Sequence, residues 1–133
     1  MPMKTIIAGS RSITPKEFKT AIERCKWSHK ISTVVSGGAA GADKLGELWA
    51  ESAGLKLQIY LPDWESFGKA AGPIRNEQMA ENAEALLAIW DGSSRGTISM
   101  IELAREKGLR VFVYNVYEDS VQEFLPNEQL YLI

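Results

Sequence analysis

Cysteine is almost absent from this chain: Cys25 stands alone in 133 residues. One thiol closes no internal disulfide, and with a single histidine, His29, it offers too few ligands for a zinc centre. A reducing, cytoplasmic setting is the expectation. Long apolar runs are missing as well. The opening MPMKTIIAGSRS holds about four consecutive apolar or small residues, against 7–15 in a secretory h-region, and no later stretch approaches a membrane span. The protein is therefore expected to be neither exported nor anchored. Charge of one sign is also lacking. A formal net charge of -2 gives no general attraction to a nucleic-acid backbone or an anionic membrane, so any anion has to be held locally. No repeat, linker or low-complexity tract interrupts the chain. Neither the P-loop pattern GxxxxGK[ST] nor the dinucleotide fingerprint GxGxxG occurs at its glycine-rich turn.

What is present is an ordinary globular composition, 45% apolar and 24% charged, at a length suited to one domain over residues 1–133. Short apolar runs alternate with amphipathic segments, which predicts an α/β fold: a Rossmann-like three-layer sandwich around a mainly parallel five-stranded sheet. The strands are KTIIAG, ISTVVS, LKLQIYL, EALLAIW and LRVFVYN. The helices are ITPKEFKTAIERCKW, ADKLGELWAESAG, GPIRNEQMAENA and GTISMIELAREKG, the last closed by Gly108. Thr14, Pro15 and Glu17 have the form of a capping box, and Phe18, Ala21, Ile22 and Cys25 then mark one buried face. On the second helix Ala42, Leu45, Trp49 and Ala53 are expected inward. The core spans about 4–114. The tail, 115–133, is weakly patterned, and its aromatics and leucines are expected to pack on the domain or on a second subunit.

Parallel strands end together at one edge, and ligands dock outside those carboxyl ends. Four segments poor in bulky side chains fall there: AGSR, SGGAAGAD, PDWESFGKAAGPIRN and WDGSSRGT. Gly37, Gly38 and Gly41 allow positive φ and close approach to main-chain N–H groups, while the helix starting near Ala42 aims its positive dipole end at the same place. A tight strand-to-helix turn alone explains such glycines equally well. The repetition of the device in WDGSSRGT, with Gly92 and Gly96 beside Ser93, Ser94 and Thr97, favours a ligand with two polar ends. The candidate contacts are Gly9, Ser10 and Arg11 after the first strand and Ser36, Gly37, Gly38, Ala39, Gly41 and Asp43 after the second. Trp64, Lys69, Gly72, Arg75 and Asn76 follow the third, and Asp91, Gly92, Ser93, Gly96 and Thr97 the fourth.

Each candidate has alternatives. Arg11 fits bidentate phosphate recognition or a surface salt bridge. Arg75, in a helix's first turn, opposes the dipole and so calls for an anionic partner, either a ligand or an acid such as Asp63; Lys69 flanks the same small-residue segment. Asn76 orients a loop or reads a base edge. Asp43 is a favourable first-turn acid or a ribose contact; Asp91 is a ribose contact, a metal-bound carboxylate or a turn residue. Trp64 and Trp90 stack on a base or pack at strand ends, whereas Trp27 and Trp49 belong to helices as core or interface. His29 has no partners for a catalytic triad. Nothing in the sequence requires a metal.

The segments GSR, VVSGGAAGAD, PDWESFGKAAGPIRNEQM and WDGSSRGT together resemble the YspA-like branch of the SLOG superfamily, over roughly residues 4 to 114. That group is Rossmann-like and includes DNA-processing protein A and the LOG enzymes. The resemblance implies a domain that binds a nucleotide or nucleotide-derived ligand, an ADP-ribose or NAD derivative among them, as a homo-oligomer. Many relatives carry a basic residue between Ala39 and Gly41; Ala40 stands here, which removes one source of anion attraction. Two classes of function follow, a sensor or sequestering module without turnover and a hydrolase of N-glycosidic bonds like the LOG enzymes. A third, single-stranded DNA binding, is weakened by the acidic balance, since such grooves are usually basic. In the LOG enzymes the second glycine loop reads GGxGTxxE. Counting from Gly96 and Thr97, its glutamate position holds Met100 here, which can neither stabilise an oxocarbenium-like sugar nor activate water. Glu102, about 200° further round the helix, should point away. Binding of a small nucleotide-like molecule without turnover is the expectation, with neither nucleic acid nor membrane as partner.

Overall fold

The computed structural model describes residues 2–126. Its strands are β1 (Met3–Gly9), β2 (Ile31–Ser36), β3 (Lys56–Ile59), β4 (Ala85–Trp90), β5 (Arg110–Asn115) and β6 (Ser120–Phe124). Its helices are α1 (Pro15–Arg24), α2 (Ala42–Ala53), α3 (Trp64–Phe67), α4 (Ala71–Glu81) and α5 (Arg95–Glu106). All strands join one sheet in the order β3-β2-β1-β4-β5-β6. The first five are parallel and β6 runs antiparallel to β5.

The three layers follow from side-chain alternation along strands that are apolar on both faces. Ile7 of β1, Leu87 and Ile89 of β4, and Phe112 and Tyr114 of β5 point to one side, where α1 and α2 cover them with Phe18, Ala21, Ala42 and Ala50. Ile6 and Ala8, Leu86 and Ala88, and Val111 and Val113 point to the other, under Met79 and Ala80 of α4 and Met100 and Ala104 of α5. The capping box forms as expected: the Glu17 amide donates to Thr14 Oγ1 at 3.2 Å and the Thr14 amide to Glu17 Oε1 at 2.9 Å. Cys25 sits in the core, where burial pushes its thiol up to about 12, so it is no nucleophile.

Several details differ from the sequence expectation. The sheet has six strands, not five, because part of the tail forms β6. An antiparallel strand at a sheet edge needs no two-sided apolar pattern, and Ser120–Phe124 is exposed along most of its length. Phe124 does pack inward, with the Arg105 guanidinium 3.8 Å from its ring centre, whereas Tyr117 is exposed. Residues 127–133 of the tail lie outside the described residues. The segment after β3, read as loop, contains α3, started by Asp63 Oδ1 accepting from the Ser66 amide at 3.1 Å. Ala53, expected inward, is exposed at the last turn of α2, and Trp27 is buried in the turn that follows α1 rather than in the helix.

After β3 the chain crosses to the opposite side of β1 to form β4, so the crossovers diverge between β1 and β4. A crevice at the carboxyl ends of that pair is the position where open α/β sheets hold ligands.

Candidate functional site

A cleft of about 420 Å³ opens at this point. Its walls combine Gly9 at the end of β1 with Arg11 and Ser12 after it, Ala39 and Asp43 around the start of α2, Arg75 and Asn76 from α4, and Asp91, Ser94, Gly96 and Thr97 around the start of α5. Ala8, Met79 and Met100 form its apolar floor. Segments following four different strands thus meet at one edge.

Ser10 joins them and is itself 2% exposed. Its amide donates to the Ile89 carbonyl at 3.0 Å, its carbonyl accepts from the Ala42 amide at 3.3 Å, and its Oγ accepts from the Asp91 amide at 3.0 Å. The same hydroxyl lies 3.5 Å from Thr97 Oγ1. Ser10 therefore ties β1, β4 and the starts of α2 and α5 together and has little freedom to serve a ligand.

The first glycine turn is braced from behind. Ser36 Oγ donates to Glu47 Oε2 at 2.7 Å and accepts from the Gly38 amide at 3.1 Å. Asp43 Oδ2 accepts from the amides of Gly37 and Ala39 at 3.2 and 3.3 Å. A Cβ on Gly37 would come 2.6 Å from Arg75 Nη1, and one on Gly41 2.4 Å from the Arg11 carbonyl oxygen, with φ at +75°. Those two glycines answer to the packing of the turn. Ser36, Gly37, Gly38 and Gly41 stand behind the wall, and only Ala39 and Asp43 of this segment line the cleft.

The second glycine turn differs. Asp91 Oδ1 accepts from the Ser93 and Ser94 amides at 2.9 and 2.8 Å, which holds its carboxyl below the usual range and gives it a turn role. Trp90 Nε1 donates to the Ser94 carbonyl at 3.1 Å, pinning the same loop. Among the described residues no side chain caps α5; the Ser94 hydroxyl instead accepts from Thr97 Oγ1 at 3.1 Å. The first-turn amides of α5 are thus left to whatever enters the cleft. Among the described residues, nothing lies within 4 Å of a Cβ built on Gly96. The fold itself does not need a glycine there, and glycine costs helix stability.

Arg75 donates from Nη1 to the Gly37 carbonyl and from Nε to Asn76 Oδ1 at 2.8 Å. Burial lowers its pKa and Asp43 opposes the shift. Asp63, occupied in capping α3, is not the partner. Burial likewise drives Asp43 up to about 6, against the hydrogen bonds from Ala39 and Gly37 and the charge of Arg75. A carboxyl whose folded pKa exceeds its unfolded 3.8 adds stability that is complete below about 3.8 and is lost as pH rises through about 6. An Asp43→Asn variant is neutral throughout. Its stability relative to wild type should therefore rise by about 2 kcal/mol from pH 4 to pH 7 in denaturant titrations, and a difference constant across that range would refute the buried-acid account.

Of the residues marked by sequence, Gly9, Arg11, Ala39, Asp43, Arg75, Asn76, Asp91, Gly96 and Thr97 line the cleft. Trp64, Lys69, Gly72, Gly92 and Ser93 do not; Trp64 and Lys69 are exposed in and after α3. Ala8, Ser12, Ser94, Met79 and Met100 complete the lining and were absent from the candidate contacts. Helical spacing could have found the methionines, each three residues after a polar cleft residue, Asn76 and Thr97. Glu102 faces a different groove, between α4 and α5, and Met100 occupies the cleft floor as expected.

The family model described as YspA, cpYpsA-related SLOG matches residues 3–67. Gene 61 protein of Mycobacterium phage D29 is 37% identical over 84 residues, which cover 59% of this chain and 67% of that protein. The chain belongs to the YspA, cpYpsA-related SLOG family. Among solved structures this SLOG chain is similar to DNA processing protein A from Streptococcus pneumoniae, with a TM-score of 0.65 at 20% identity. The match covers 85% of this chain and 50% of the other, so this SLOG domain spans half the length of that relative. The likeness shows a shared Rossmann-like fold. Among the described residues, no helix is long and apolar enough to cross a membrane, and no cluster of three or more histidine, cysteine or acidic residues could hold a metal ion.

Proposed function

We propose that the cleft binds a nucleotide or nucleotide-derived ligand, with an anionic group at the start of α5, and that the protein acts as a sensor or sequestering module. Membership of the SLOG family and the fold shared with DNA processing protein A fit a nucleotide-related or DNA-processing role. The observation that carries the narrower reading is the open start of α5: uncapped amides, an unfilled space over Gly96, and Arg11 and Arg75 on the same cleft. A volume of about 420 Å³ suits a small molecule, and the mixed lining offers polar groups above an apolar floor. Asp43 and Asp91 already accept main-chain hydrogen bonds, and Met100 stands where a LOG-type glutamate would, so the lining supports binding over hydrolysis.

Calorimetry with AMP, ADP-ribose, NAD and a short thymidine oligonucleotide, followed by chromatography of the mixtures, tests this reading. Saturable heat with at least one mononucleotide or dinucleotide and no released base is expected. Heat with the oligonucleotide alone would transfer the site to single-stranded DNA. Base release that disappears in Asp91→Asn or Asp43→Asn would make the protein a hydrolase.

A further inference from the structure

The two edges of the sheet are unlike. At one, β6 presents Ser120, Val121, Gln122 and Glu123, of which the charged Glu123 discourages further strand pairing. At the other, β3 is exposed at three of its four residues and, among the described residues, leaves a row of backbone N–H and C=O groups without a neighbouring strand. Apolar side chains crowd that second edge. Ile59 and Leu61 are 47% and 70% exposed, and both reach the space over Gly38. Trp64 and Phe67, 59% and 50% exposed, share the single turn of α3 just beyond, and Leu48 is 60% exposed on the neighbouring helix α2. Five of the eight large apolar side chains that the described residues leave exposed thus belong to β3, the loop that follows it and the two helices beside it. Together they leave on the order of 500 Å² of apolar surface in water around this edge, against the ~800 Å² that each partner buries in a standard interface.

We propose that this edge is the contact between two copies of the chain, joined by antiparallel pairing of β3 with β3 about a two-fold axis. Charge favours that arrangement over a parallel one. Lys56 begins the strand, and Asp63 and Glu65 follow its end. Antiparallel pairing brings Lys56 of each copy toward the acidic end of its partner, whereas parallel pairing sets like charges side by side. A two-fold contact also closes on itself, so assembly stops at the dimer with a continuous sheet of twelve strands. The ligand cleft lies outside this contact, between β1 and β4, and stays open in both copies.

Sedimentation and light scattering test the assembly, and engineered cysteines test its geometry. The full chain should sediment as a dimer at micromolar concentration. Ile59→Lys together with Leu61→Glu should shift it to monomer, lowering the association constant at least 100-fold, while circular dichroism and the thermal transition remain those of a folded protein. In a Cys25→Ser background, Gln58→Cys or Ile59→Cys should form a disulfide-linked dimer on mild oxidation, since residues near a two-fold axis meet their own copies. Val121→Cys on β6 serves as the control and should not cross-link. A monomeric wild-type protein, a dimer unaffected by the double substitution, or cross-linking through Val121→Cys but neither β3 cysteine would each overturn the proposal.

Discussion

Gly9→Ala should destabilise the protein by at least ~2 kcal/mol, the effect of forcing extra volume into a packed core. Gly9 ends β1, and a Cβ there would sit 2.0 Å from the Ile89 carbonyl oxygen and 2.9 Å from the Ala42 side chain. Both neighbours belong to elements fixed by other contacts: Ile89 is paired within β4, and Ala42 starts α2 with its amide on Ser10. Neither can withdraw without opening the place where β1, β4 and α2 meet. Gly96→Ala is the matched control. Its new methyl group enters empty space, and an alanine in a helix should leave stability unchanged or raise it by up to ~1 kcal/mol. Denaturant midpoints of the two variants are the measurement. Equal midpoints would mean that the junction is less tightly packed than described.

Ligand affinity should respond in the reverse sense. Arg75→Ala removes a charged donor from the cleft and a support of the Gly37 carbonyl, and should weaken binding by ~1.5–3 kcal/mol, roughly 10- to 100-fold. Gly96→Val should weaken it at least tenfold by filling the space over the α5 amides, with stability close to wild type. The pair must be compared on folded protein using whichever nucleotide binds best. Retention of wild-type affinity by both would place the ligand somewhere else. Gly38→Val is unsuited to this purpose, because Gly38 has φ at +76°, where a β-branched residue is strained, so the variant would probe folding instead.

Much of the architecture was legible in periodicity. ISTVVS became β2 without adjustment, and the other parallel strands and long helices moved by one to three residues at their ends, because their apolar residues recur with the periods that two-sided burial imposes. β6 escaped because SVQEF lies on an edge that water can wet. At the site, residue type indicated where the chain comes close to itself but not what fills the space. Gly37 and Gly96 look alike in sequence; one is crowded by Arg75 of α4 and the other faces none of the described residues, a difference set by how the helices on one face of the sheet reach its edge. Asp43 and Asp91 were open between ligand and turn roles for the same reason. Their partners are amides close by in the chain, yet which amides turn toward them depends on backbone angles that composition does not reveal.

The direction of β6 has a practical consequence. Because it reverses the sheet's polarity, Phe124 comes to rest beside Val111, near the start of β5, and the described chain departs on the side where it entered at Met3. Anything joined at Met3 or Phe124, whether a fluorophore, a surface linker or another folded unit, is attached a strand's length from the cleft, on the order of 20 Å for six residues. The protein can be tethered by that side with its cleft turned to solution. A unit fused there would sense occupancy only through displacements passed along the strands.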